Sequence, residues 1–150
     1  MTLKINDTAP DFEAETTQGK INLYDWAKDS WIVLFSHPKN FTPVCTTELG
    51  ALQSHKGEFD KRNVKILGLS VDPVEDHGKW SEDIKDVTGF KPEYPLIGDK
   101  DLTIAKAYGM LPASTEGFSD GRTAADNATV RNVFVIGPDK KIKLILSYPM

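Results

Sequence analysis

Apolar residues run almost unbroken through Trp31-Ile32-Val33-Leu34-Phe35 and again through Val64-Lys65-Ile66-Leu67-Gly68-Leu69-Ser70-Val71. A strand covered on both faces needs apolar side chains at successive positions, so both stretches predict buried parallel strands. The first closes at Ser36 and the second at Asp72-Pro73. Between them, Thr42 to about Arg62 carries Leu49, Leu52 and Phe59 at helical spacing, with Glu48, Lys56, Glu58, Asp60 and Lys61 among the polar positions. Gly50 weakens that helix slightly. Val74 to about Val87 predicts a second helix, with Trp80 and Ile84 a turn apart. This β-α-β alternation implies parallel strands joined by a right-handed crossover.

The flanks are less regular. Residues 1–30 predict an extended, hairpin-bearing segment, with a turn at Gly19-Lys20 before Ile21-Asn22-Leu23. Tyr94-Pro95-Leu96-Ile97 predicts a short strand and Leu102 to Tyr108 a helical segment. Met110 to Ala128, rich in Gly, Ser, Asp and Asn, is the longest loop. Thr129 to Ile136 and Lys141 to Tyr148 flank Gly137-Pro138-Asp139-Lys140 as a hairpin. Strict alternation along its second arm would set Ile142, Leu144 and Leu146 on one face, and Ile145 with Lys141, Lys143 and Ser147 on the other. A strand-helix-strand-helix half followed by a hairpin half is an α/β, thioredoxin-like three-layer sandwich with a mixed central sheet. Residues 1–150 form one domain in this reading.

Composition narrows the class. Hydrophobic residues make up 39% and charged residues 27%, and the net charge is -4, which speaks against nucleic acid and anionic membrane surfaces as partners. A single cysteine forms no internal disulfide and suits a reducing compartment. Met1 to Phe12 holds no apolar stretch of a secretory signal, and no segment nears the ~20 apolar residues of a membrane span. The expected location is cytoplasmic.

That cysteine lies where strand gives way to helix. Thr42 suits an N-cap, Pro43 suits N1, and Cys45 then falls at N3, where the helix dipole favours a thiolate. A lone cysteine is more often a small buried hydrophobe than a nucleophile. Three features favour the nucleophile: the helix N-terminus, the Thr42 hydroxyl, and a proline-broken loop at the carboxyl end of a strand, where open α/β sheets place their sites.

Arg131 is the second unusual residue, a cation within the apolar run Val130 to Ile136. Burying it requires a partner. One reading pairs it with Glu48; another faces it to the Cys45 thiolate, and Glu48 could orient it there. Pro38 terminates the strand and would also shield the thiolate from water. His37 is open to two readings, a proton shuttle or a half-buried histidine at a strand end. His55 and His77 read as ordinary helix positions. His37, Cys45 and a distant histidine lack metal-ligand spacing, so no metal site is expected.

Pro38-x-x-x-Thr42-x-x-Cys45 resembles the P-x-x-x-T-x-x-C signature of the peroxiredoxins. Phe35 to Leu49, Val71-Asp72 with Val74 to His77 and Trp80-Ser81, and Val133 to Lys141 resemble the one-cysteine, peroxiredoxin six type. The likeness runs from about Ala9 to Pro149. It implies that Cys45 is the peroxidatic cysteine, that Thr42 and Arg131 hydrogen-bond the thiolate and the peroxide, that Pro38 shields it, and that His37 and Glu48 support the site. Hydrogen peroxide and organic hydroperoxides are the implied substrates, turned over through a Cys45 sulfenic acid without metal, flavin or haem. An external thiol such as glutathione or thioredoxin is the implied reductant. A peroxide sensor or holdase using the same cysteine without turnover is the alternative.

Two departures qualify the likeness. Some relatives carry a phospholipase triad, and Ser30 and Asp139 match two of its positions, but Tyr24 stands where the histidine is expected and Ile32 where a glycine is. The family also continues into a further helix and a dimerisation domain that this sequence lacks. Apolar surface left open on the last strand is then expected to favour a homodimer or self-association.

Overall fold

The structure, a computed structural model, describes residues 3–36, 50–70, 74–99, 103–110 and 131–148. Its strands are β1 (Glu13–Thr16), β2 (Gly19–Asn22), β3 (Trp31–Ser36), β4 (Val64–Ser70), β5 (Leu96–Gly98), β6 (Arg131–Ile136) and β7 (Ile142–Tyr148). Its helices include α1 (Leu23–Ala27), α2 (Lys56–Lys61), α3 (Val74–Thr88) and α4 (Thr103–Ala107). Among the described residues the strands form one sheet in the order β2-β1-β5-β4-β3-β6-β7. β3, β4 and β5 run parallel, while β6 lies antiparallel to both β3 and β7. The mixed sheet expected from the sequence is the one observed.

Strand alternation sends side chains to two layers. Ile32, Leu34, Leu67, Leu69, Ile97 and Phe134 form one core with Leu23 and Ala27 of α1 and Ile104 and Ala105 of α4. Phe35, Ile66 and Leu96 form the other with Trp80 and Ile84 of α3 and Tyr94. Burial of Trp80 and Ile84, both fully enclosed, follows from their four-residue spacing on α3. Gly89, with φ +82, closes that helix by donating its N–H to the Lys85 carbonyl at 2.8 Å.

Several local expectations are corrected. Asn22 ends β2 and caps α1, its side chain accepting from the Asp25 N–H at 3.1 Å, so Leu23 begins a helix and does not continue a strand. The β1–β2 turn is Thr17-Gln18, with Gly19 at φ +101 opening β2. β5 starts at Leu96, after Pro95, which has no N–H to give a ladder. The helix expected to run through to Arg62 breaks at His55, whose φ of -102 and ψ of 5 leave the helical region. Ser54 Oγ donates to the Ala51 carbonyl at 2.7 Å and the His55 N–H reaches only three residues back, to Leu52, so the regular ladder is interrupted there. The start of that helix, and the loop expected over Met110 to Ala128 apart from Met110 itself, lie outside the described residues.

The hairpin β6–β7 holds the largest correction. Ile136 pairs with Ile142 but Val135 pairs with Leu144, so Lys143 is an extra residue in β7. One inserted residue reverses the faces of everything beyond it. Ile142 and Ile145 therefore join the core beside Phe134 and Ile136, while Leu144 and Leu146 stand on the opposite face, 43% and 50% exposed. On that same face Trp31 is 37% exposed, so β3 is not covered along its whole length.

Candidate active site

β3 delivers the chain to the carboxyl edge of the sheet at Ser36, which is buried. Ser36 Oγ accepts the N–H of Asn132 at 3.1 Å, tying the end of β3 to the start of β6. Asn132 pairs with Ser147 across β6 and β7, and Ser147 Oγ donates to Asn132 Oδ1. A polar chain thus crosses three strands, Ser36 to Asn132 to Ser147, at the edge from which residue 37 departs. Asn132 is 2% exposed, and its Nδ2 has no hydrogen-bond partner among the described residues. Leaving a buried donor unmet costs about 1–3 kcal/mol. The sequence offered one signal for this chain, a second polar residue beside Arg131 in an apolar strand.

Beneath Ser36 on the α3 side of the sheet lies a cavity of about 400 Å³. Val33, Phe35 and Val133 floor it, and Leu52, His55 and Phe59 wall it. Phe35 meets Tyr94 edge to face at 6.0 Å between ring centres, fixing its ring beside this cavity.

Of the residues singled out from the sequence, His37, Pro38, Thr42, Cys45 and Glu48 lie outside the described residues. Arg131 is described through its backbone, as the first residue of β6, paired with Tyr148. β6 lies directly beside β3, with Phe35 opposite Val133, so Arg131 comes from the strand next to the one that leads into the cysteine-bearing segment.

Of the other histidines, His55 walls that cavity and His77 lies apart from it. His77 is fully buried on α3, its Nε2 at 2.8 Å from the Ile97 carbonyl. The two triad-like residues and Tyr24 are each engaged separately. Ser30 Oγ donates to Asn63 Oδ1 at 3.0 Å, the Tyr24 hydroxyl to the Ala9 carbonyl, and Asp139 accepts from Lys143 Nζ at 3.0 Å.

A mixed sheet sandwiched by helices, with a cysteine-bearing segment leaving the carboxyl end of a central strand, defines a thioredoxin-like thiol protein. Residues 5–145 match the AhpC/TSA family, and this chain belongs to it. It is 55% identical to the mitochondrial peroxiredoxin of Saccharomyces cerevisiae over 98% of its own length and 56% of that protein's. Its identity to peroxiredoxin-6 of Gallus gallus is 50%, over 98% of this chain and 65% of the relative. The chain thus spans little more than half to two thirds of these relatives. Among solved structures, a yeast mitochondrial one-cysteine peroxiredoxin, described for thiol resolution through glutathione and thioredoxin systems, superposes with a TM-score of 0.88 at 53% identity, covering 99% of this chain and 68% of that one. Peroxiredoxin 6 of Arenicola marina gives 0.87 at 46% identity, covering 98% and 66%. The thioredoxin-like peroxiredoxin fold expected from the sequence is therefore the fold of this chain.

Proposed function

We propose that the chain is the catalytic unit of a one-cysteine, thiol-dependent peroxidase acting on hydrogen peroxide and organic hydroperoxides. The observation that carries this reading is the family match across residues 5–145, together with Pro38-x-x-x-Thr42-x-x-Cys45 following directly on the buried end of β3. Cys45 Sγ, as a thiolate, attacks one peroxide oxygen in line; the S–O bond forms as the O–O bond breaks. The departing oxygen takes a proton and leaves as water or an alcohol, and Cys45 becomes a sulfenic acid. Thr42 and Arg131 donate to the thiolate and to the developing negative charge, which fixed donors stabilise without reorganisation. Pro38 keeps water from the sulfur, and His37 and Glu48 hold these groups in place.

One cysteine in these residues leaves no internal resolving partner. An external thiol condenses with the sulfenic acid, releasing water and forming a mixed disulfide, and a second thiol frees Cys45. The yeast relative's glutathione and thioredoxin systems support these as the reductant class. A reducing compartment suits such a cycle, and we assign the chain to the cytoplasm; the mitochondrial relative makes the mitochondrion the competing location.

Peroxide consumption followed with glutathione and with thioredoxin tests the reading. Many turnovers per chain are expected, and Cys45→Ser should abolish them with the fold intact, because an alcohol supplies no anion at neutral pH. A single turnover that stalls with every reductant would instead favour a sensor or holdase.

A further inference from the structure

We infer that Asn132 is a positioning residue for Arg131, and that the Ser36–Asn132–Ser147 chain is the device through which it acts. The inference rests on the peroxidase reading above and assigns Asn132 a role beyond it.

Three observations carry it. Asn132 follows Arg131 directly in β6, and its backbone N–H is held by Ser36 Oγ at 3.1 Å, the last residue of β3 before the cysteine-bearing segment departs. Its carboxamide is gripped on the far side by Ser147 Oγ from β7, the residue next to Arg131's own partner Tyr148. The start of β6 is thus pinned from both neighbouring strands by side-chain bonds, in addition to the ladder. A register shift or fraying at a strand end moves every side chain it carries, and that end carries Arg131. The third observation is the unpartnered Nδ2 of this buried amide. An apolar residue would satisfy that environment better, so the amide is a poor choice for stability alone and needs another explanation.

A valine at this position would remove the orphaned donor and keep a good strand former. Asn132→Val should therefore melt at the wild-type temperature or above, yet lose the Ser147 half of the grip on the start of β6, the backbone bond to Ser36 remaining. The Cys45 thiolate titration, followed by ultraviolet absorbance, should move up by about half a pH unit or more, roughly a threefold change in the thiol-to-thiolate ratio. The second-order rate with hydrogen peroxide should fall at least as far. Ser147→Ala, on the sheet's edge strand, should shift both in the same direction and serves if Asn132→Val does not fold.

Arg131→Met is the control that separates the two readings. A raised midpoint in Arg131→Met with a wild-type midpoint and rate in folded Asn132→Val, or in Ser147→Ala where that variant must stand in, overturns the positioning role and leaves the peroxidase reading untouched. No shift in Arg131→Met overturns the role of Arg131, and the inference falls with it.

Discussion

The ring of Phe35 lies against the bare Cα of Gly68, its pairing partner on the adjacent parallel strand. A Cβ added at Gly68 would stand 2.9 Å from Phe35 Cζ and 2.7 Å from Leu96 Cδ2. Glycine is thus the residue that lets Phe35 settle into the sheet next to Ser36. Because Phe35 also floors the cavity below the strand end, this contact links core packing to the base of the candidate active site.

Gly68→Ala should destabilise the protein by about 1–3 kcal/mol, the usual cost of forcing an extra carbon into a filled core. Chemical denaturation would read this as a lowered midpoint with an unchanged slope. A wild-type midpoint would show that Phe35 turns aside freely. Peroxidase activity should fall with the displaced Phe35 ring even at temperatures where the variant is folded.

Oxidation of Cys45 should not stop at the sulfenic acid. With no resolving thiol in the chain, excess peroxide in the absence of reductant should carry Cys45 to sulfinic and sulfonic acid. Intact-mass spectrometry should show two and three added oxygens, and Cys45→Ser should show neither at that residue. A mass that stays at the reduced value would mean an unreactive thiol.

Burial of Tyr94 and Tyr108 raises both phenol pKa values above their ordinary value near 10; for Tyr108, the neighbouring Tyr24 and Asp11 add to it. The folded state keeps these protons after the unfolded chain has begun to lose them. Their contribution to stability is therefore complete below about pH 10 and is lost as pH rises beyond it. Thermal melts between pH 8 and pH 11 should fall steeply at the alkaline end. Tyr108→Phe should flatten that fall while losing the 2.6 Å hydrogen bond to the Pro10 carbonyl, so it should start lower at neutral pH. An unchanged alkaline slope would rule Tyr108 out as a contributor.

Leu144 and Leu146 project from the face of β7 opposite its core contacts, half exposed, with Trp31 open on the same face. Association of two chains would cover this surface. Sedimentation should show mass rising with concentration, and Leu144→Glu with Leu146→Glu should return the protein to a monomer. Strictly monomeric wild type at all concentrations would show that the exposed leucines do not drive contact.

Much of the fold could be read from residues in order. β3 matches Trp31–Ser36 because an unbroken apolar run bounded by polar residues leaves little choice of strand limits. α3 was legible from Trp80 and Ile84, whose spacing determines the buried face of a helix wherever it packs. The proposed catalytic residues Pro38, Thr42 and Cys45 rest on a short motif whose spacing is local, and their arrangement in space lies outside the described residues.

Other features depended on contacts between distant segments, and local pattern holds no record of them. Alternation along Ile142 to Leu146 could not reveal that Lys143 is extra, because a bulge exists only relative to a partner strand, here β6. The helix at Leu23 turns on one side-chain bond from Asn22, in a stretch whose composition suits a strand equally well. Asn132 is a polar residue in an otherwise apolar stretch of β6, and only the register of the folded sheet brings Ser36 and Ser147 to either side of it. Sequence determined which segments had to be buried and which residues could do chemistry. Tertiary structure decided which face each side chain took and which polar groups met, because those depend on cross-strand register, a property of pairs of segments and not of either one alone.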